Sequence, residues 1–197
     1  IATTTNTSDD VIVEFAKSEG VLYYRGSEED VMERVLFAAT FFGADTIVGI
    51  TGDCPVIDPL LIEQTIQTFI CNDCDYVDNM QNPGYPGGMN TTVYKLESLK
   101  KSRNLTNSKL DFEHVTSHIS RNPQLFRHIY LVPPKDLYWP ELKLELDEKL
   151  DYDLLKKIIE YFGDENQLFS CREIIELLRS KVEWANINKD VYRKGYE

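Results

Sequence analysis

The feature that most constrains this chain is a repeated alternation of short β-branched runs with amphipathic helical stretches. Asp45–Ile50 has the composition of a buried strand. Asp58-Pro59 then caps and opens a helix that runs to Ile70. Asp75–Asp78 is strand-like again. The same order precedes it. Ser8 can cap a helix through Asp9, Asp10 and Val11 to Ser18-Glu19, which stops at Gly20, and Val21–Tyr24 reads as a strand. Ser27-Glu28-Glu29-Asp30 resembles a capping box ahead of a helix carrying Val31, Val35, Ala38, Ala39 and Phe42 on one face, ended by Gly43. No strand or helix signal precedes Ser8, so the chain reads as starting within a fold. This alternation predicts an α/β architecture with a mainly parallel sheet flanked by helices. Right-handed crossovers then gather the loops that follow the strands at one sheet edge.

Beyond residue 80 the pattern loosens. Met80–Gly88 contains Asn82-Pro83-Gly84-Tyr85-Pro86-Gly87-Gly88, a stiff and then permissive loop suited to a substrate rim. Thr91–Tyr94, Arg127–Val132 and Lys143–Leu146 are predicted strands; Leu96–Arg103, Asp111–Ser120, Tyr152–Tyr161 and Ser170–Arg179 are predicted helices. The last is opened by the capping box Ser170-Cys171-Arg172-Glu173, and the residues after Trp184 read as a polar arm. With no repeat or linker, 197 residues suit a single domain spanning 1–197.

Charge and cysteine usage narrow the function. The chain carries 21 Lys and Arg against 33 Asp and Glu, a net charge of −12. That balance disfavours nucleic acid as a partner, because phosphate backbones need clustered cations. No apolar run is long enough to span a membrane, so a cytoplasmic protein is expected. Cys71-Asn-Asp-Cys74 is the only paired spacing among four cysteines. It lacks the further ligands of a zinc site and falls at a helix end, so buried reduced thiols are the simpler reading.

The strongest local motif is Thr51-Gly52-Asp53-Cys54-Pro55, directly after the Asp45–Ile50 strand. Ligands of open α/β sheets bind at the carboxyl ends of strands. Gly52 allows close backbone approach, and Asp53 places a carboxylate there. Asp147 ends the Lys143–Leu146 run in the same manner. Two such carboxylates would suit Mg²⁺, which takes one or two carboxylates together with phosphate oxygens and water. Each Asp alone is better read as a turn former or a residue ahead of a helix, because Asp is common at strand ends. The Arg25-Gly26-Ser27-Glu28-Glu29-Asp30 segment could meet a phosphate, although a plain helix start explains its spacing. His114 and His118, four apart beside Glu113, could face one way on a helix, but polar recognition by Glu113 and His114 outweighs a zinc pair. No nucleophile elbow is present.

Taken in order, Tyr24–Val31, Ile50–Pro59, Tyr85–Met89 and Phe112–Thr116 resemble the cytidylyltransferase family. That family includes spore coat polysaccharide biosynthesis proteins and the more distant acylneuraminate and CMP-KDO synthetases. The resemblance implies a Rossmann-like nucleotide-diphospho-sugar transferase fold with a mainly parallel, mixed sheet. It also implies transfer of a nucleotidyl group, usually from CTP, to a sugar or sugar acid with release of pyrophosphate. By the same likeness Asp53 and Asp147 would be catalytic metal-binding residues holding Mg²⁺. Arg25, Gly26, Ser27, Asp30 and Gly52 would lie along the nucleotide, and Gly88, Asn90, Glu113 and His114 would lie on the sugar side. Family members begin with a further strand and a Gly-rich basic loop that cradles the triphosphate. The sequence holds no such segment, so it is expected to be N-terminally incomplete. Where the family often has acidic residues, this chain has Gly87, Asn90 and Thr92, which leaves the sugar open. A homodimer with an interface from Met80 to Lys109 is a further expectation by analogy. Two other functions fit the same architecture: a non-catalytic binding or assembly module, and a glycosyltransferase consuming a sugar nucleotide.

Overall fold

The computed structural model describes residues 1–80 and 84–191. They divide into two compact units. The first comprises Ile1–Ile47, Asp73–Tyr76 and Val93–Ile129; the second comprises Val48–Asn72, Val77–Thr92 and the chain from Tyr130 onward. The Asn82-Pro83 part of the predicted rim loop lies outside the described residues.

The first unit opens with a strand the sequence does not announce. Ala2–Thr4 (β1) pairs in parallel with Tyr24–Gly26 (β2), matching Ala2 to Tyr24 and Thr4 to Gly26. The expected strand at Val21–Tyr24 is therefore displaced toward the C-terminus, because the ladder bonds come from β1 rather than from local pattern. Helix α1 (Asp10–Ser18) follows a short 3-10 turn, Thr7–Asp9, and ends before Gly20, whose φ of +65° suits glycine. Helix α2 (Val31–Phe41) starts at Asp30, whose carboxylate accepts the Glu33 amide at 2.8 Å. Ser27 sits one turn earlier and accepts the Asp30 amide at 3.0 Å, so the expected capping box is a turn ahead of the helix. Met32 and Ala39, seven apart, form the buried line of α2, whereas Phe42 is 41% exposed.

Strand order in the four-stranded sheet is β3-β5-β4-β6, formed by Thr46–Gly49, Thr92–Lys95, Tyr76–Asp78 and His128–Tyr130. The Leu96 amide, just past β5, donates to the Asp45 carbonyl ahead of β3, and the Lys95 amide donates to the Asp75 carbonyl ahead of β4. Strand ends meeting strand starts make β5 antiparallel to both neighbours. The Tyr76 amide donates to the Arg127 carbonyl, and the Leu131 amide to the Asp78 carbonyl, so β4 and β6 run the same way. The sheet is mixed and the fold is α/β.

Helix α4 (Leu96–Leu105) continues from β5 and packs on α2. The single helix expected over Asp111–Ser120 is two pieces, α5 (Lys109–Glu113) and α6 (Ser117–Ser120). His114 leaves helical geometry at φ −103° and ψ 74°. His114 and His118 therefore do not share a helix face, and the His118 ring lies 3.0 Å from the Ser102 hydroxyl.

The second unit holds helix α3 (Pro59–Ile70) and the C-terminal helices α7 (Lys149–Phe162), α8 (Cys171–Ser180) and α9 (Val182–Ala185). Its core is built by helical spacing. Leu154 and Ile158 of α7 and Ile174 and Leu178 of α8 are each fully buried, in one cluster with Leu144. Phe162 stacks on Phe169 at 4.4 Å, closing the turn between α7 and α8. Lys143–Leu146 is not a strand. Among the described residues it makes a parallel bridge, Gly87 to Lys143, and then turns to bond the Asp53 carbonyl through the Leu146 amide, so no continuous ladder forms. As far as the described residues reach, the segment past Trp184 is not a free arm either: Ile187 packs on the core and Asn188 is 2% exposed. Residues 192–197 lie outside the described part.

Candidate active site

Two loops of the second unit that carry the carboxylates singled out from the sequence are joined by a backbone bond. The Asp53 carbonyl accepts the Leu146 amide at 2.8 Å, so the backbone leading into Asp147 is fastened to the Gly52-Asp53 turn. The Asp53 carboxylate is oriented through one oxygen: Oδ1 accepts from the Thr51 hydroxyl and from the Cys54 thiol. Cys54 is buried, and burial, chiefly, pushes its thiol up to about 12, so it remains a neutral donor beside Asp53. The Thr51–Ile57 turn is closed at its far end by Asp58, which is 4% exposed. Asp58 Oδ1 accepts the Leu60 amide at 2.8 Å, and Oδ2 accepts the Cys171 amide at 2.8 Å. One carboxylate thus caps both α3 and α8 and fixes the loop to the core.

The Tyr85–Met89 segment lies against residues 142–145. The Gly87 amide donates to the Leu142 carbonyl at 2.9 Å, and the Leu144 amide returns a bond to the Gly87 carbonyl at 2.9 Å. A Cβ on Gly87 would stand 2.7 Å from Glu145 Oε1 and closer still to Oε2. Gly88 has φ of +86°, and its Cβ would stand 2.7 Å from the Leu144 carbonyl. The two glycines are what let this loop lie flat against residues 144 and 145. Asn79, just past β4, accepts the Thr91 amide at 2.9 Å and donates to the Met89 carbonyl at 2.7 Å, which holds the backbone on both sides of the partly exposed Asn90.

Glu145 is a residue that sequence reading missed. It is 6% exposed, packs over Gly87, and its charge is felt by the Cys54 thiol. Its signal was the alternation in Lys143-Leu144-Glu145-Leu146-Asp147, which sets Glu145 and Asp147 on one face of an extended run. Gly52, Asp53, Gly88, Asn90 and Asp147 all belong to the second unit. Asp147 is exposed, and its amide faces Asp151 Oδ2 at 3.3 Å.

Arg25, Gly26, Ser27, Asp30, Glu113 and His114 belong to the first unit, where several have internal partners. The Arg25 guanidinium donates to the Thr4 carbonyl at 2.7 Å and the Asn6 carbonyl at 2.6 Å, and it pairs with Asp10 at 2.7 Å. It ties β2 to the end of β1, to Asn6 after it and to the start of α1. Gly26 lies against Arg34, whose guanidinium donates to the Ser27 carbonyl at 2.6 Å. Asp30 Oδ2 pairs with Arg103 at 2.9 Å, and that guanidinium also stacks 4.0 Å over the Phe112 ring. Glu113 and His114 are exposed at the end of α5.

Among the described residues no group of three or more His, Cys, Asp or Glu is arranged to hold a metal by itself. Oxygen donors on two adjoining loops nevertheless fit Mg²⁺, which keeps several waters and takes its remaining ligands from substrate phosphates. They do not resemble a zinc site, which gathers four His or Cys donors.

The cytidylyltransferase family model matches residues 1–186. The chain is a member of the cytidylyltransferase family. An uncharacterised protein of Methanocaldococcus jannaschii is 35% identical over 196 residues, all of this chain and 79% of that protein. The spore coat polysaccharide biosynthesis protein SpsF of Bacillus subtilis is 29% identical, over 94% of this chain and 76% of its own length. A solved cytidylyltransferase of Leptospira borgpetersenii superposes with a TM-score of 0.88 at 28% identity, covering 96% of this chain and 79% of that one. The mixed α/β sheet of this cytidylyltransferase is thus the architecture of its family, and the protein is a nucleotidyltransferase. Among its described residues no helix is long and apolar enough to cross a membrane.

Proposed function

We propose that this cytidylyltransferase moves the CMP group of CTP onto a hydroxyl of a sugar or sugar acid and releases pyrophosphate, in the synthesis of a surface polysaccharide. The observation that supports the reading is the bond from the Leu146 amide to the Asp53 carbonyl, which fastens the residue before Asp147 to the Gly52-Asp53 turn. Mg²⁺ held by Asp53 and Asp147 would neutralise charge on the triphosphate as the sugar oxygen bonds to the α-phosphorus. In that exchange the bond from the α-phosphorus to the α,β-bridging oxygen breaks, pyrophosphate departs with the electron pair, and the hydroxyl proton passes to solvent. Gly52 leaves room for phosphate oxygens to approach the backbone. Asn90 and Gly88 would face the sugar, with Asn90 offering an uncharged donor and acceptor rather than a carboxylate. The likeness to a spore coat polysaccharide biosynthesis protein supports the pathway.

Pyrophosphate release by the full-length protein with CTP and Mg²⁺, across a panel of sugars and sugar acids, tests the reaction. Turnover with one sugar, lost in Asp53→Ala, is the expected result. Unchanged turnover in Asp53→Ala would refute the role given to Asp53, and binding of a sugar nucleotide without pyrophosphate release would point instead to a glycosyltransferase.

A further inference from the structure

We infer that Asn188, from the segment after α9, is a positioning residue for Asp147. This rests on the reading of Asp147 as a metal-holding carboxylate. Asn188 is 2% exposed, and both N–H bonds of its amide are used. Nδ2 donates to Asp151 Oδ1 at 2.6 Å and to the Lys143 carbonyl at 3.0 Å. Asp151 is itself fully buried, and its other oxygen, Oδ2, accepts the Glu148 amide at 2.8 Å and faces the Asp147 amide at 3.3 Å. One carboxamide therefore grips the Lys143–Asp147 segment at both ends, directly at the Lys143 carbonyl and through Asp151 at the Asp147 amide. Between these two points the Leu144 amide donates to the Gly87 carbonyl and the Leu146 amide to the Asp53 carbonyl.

The arrangement fixes the backbone at Asp147 and so fixes where an exposed carboxylate projects. Without Asn188 the Asp151 Oδ1 would lose its 2.6 Å donor in a buried site. A buried carboxylate so deprived shifts or recruits other donors, and the amides on its far oxygen move with it. Partners behind a metal ligand matter because they set its orientation. A purely structural account would have Asn188 merely dock the C-terminal segment, a task shared by Ile187, which packs on the same core.

The test uses the full-length protein with Mn²⁺ as the probe. Affinity is read by electron paramagnetic resonance, backbone order at Asp147 and Glu148 by amide hydrogen exchange, and global stability by melting. Asn188→Ala is expected to weaken Mn²⁺ about 10-fold and to speed exchange at both amides. Ile187→Ala is expected to lower the melting temperature while leaving Mn²⁺ affinity unchanged. If the Ala variant does not fold, Asn188→Ser, which keeps one donor, should show a smaller loss in the same direction. Equal weakening in Asn188→Ala and Ile187→Ala would reduce Asn188 to a docking residue. Intact affinity in Asn188→Ala, with affinity abolished in Asp147→Ala, would also overturn the inference and leave the metal reading standing. Intact affinity in Asp147→Ala would instead overturn the metal reading and this inference together.

Discussion

Asp58 offers a sharp test of how the Thr51–Ile57 turn is held. Asp58→Ala removes the cap of α3, a loss of about 1 kcal/mol. It also strands the amide of Cys171, a residue that is fully buried, which costs about 1–3 kcal/mol. The two effects arise from separate oxygens, at 2.8 Å each, so they add to about 2–4 kcal/mol. Asp58→Asn keeps one acceptor oxygen and loses the other, so it should fall about midway, at 1–2 kcal/mol. For a chain of this length each kcal/mol lowers the melting temperature by about 2–4 °C, so Asp58→Ala should melt about 5–15 °C lower. Urea unfolding followed by circular dichroism should show the midpoint shift without a change in slope. A loss below about 0.5 kcal/mol in Asp58→Ala would refute the reasoning, since the Cys171 amide would then have another partner. Wild-type stability in Asp58→Asn would do the same for the double cap.

Other predictions concern charge, glycine geometry and thiols. Asp9 is pulled down to about 2 by the hydroxyls of Thr3 and Thr4 and by the Thr4 amide. Its folded pKa lies below the unfolded one, so its contribution to stability is complete above the ordinary carboxylate range and is lost as pH falls between about 4 and 2. Melting of Asp9→Asn should lack that portion of the acid dependence, and an NMR titration midpoint near the ordinary value would contradict it. Gly88→Ala must place a Cβ at positive φ and 2.7 Å from the Leu144 carbonyl, so it should cost more than about 1 kcal/mol in chemical unfolding. Equal stability would show that the loop can lift away from residues 144 and 145. Burial pushes the Cys54 and Cys171 thiols up to about 12, whereas Cys71 is exposed. A thiol reagent near neutral pH should therefore modify Cys71 first, and mass spectrometry finding Cys54 labelled as fast would count against its burial.

Much of this fold was legible because its signals are local. Pro59 after a capping Asp58 fixed the start of α3, and Ser170 with Glu173 fixed the start of α8, through bonds made within one turn. Gly20 and Gly43 marked helix ends because both adopt positive φ. The Gly52-Asp53 turn is legible as a short local motif that follows a strand. Asp147 is legible as the end of the Lys143–Leu146 run read as a strand, although that run is not a strand.

What the sequence hid depends on partners far along the chain. β1 exists only because Tyr24–Gly26 pairs with it, and nothing in Ala2–Thr4 declares that ladder. The Asp111–Ser120 helix breaks at His114 although its local composition is helical, and no sequence signal located that break. The Glu145 side chain is buried because Gly87, far earlier in the chain, leaves space for its carboxyl group. Asn188, in a tail of polar composition, is buried because Asp151 and the Lys143 carbonyl are waiting for its amide. Local signals let the sequence determine where α3, α4 and α8 begin and which carboxylate stands beside the Gly52 turn. Tertiary structure alone decided which polar groups meet across the chain, since a buried charge or amide is stable only where distant residues supply its hydrogen bonds.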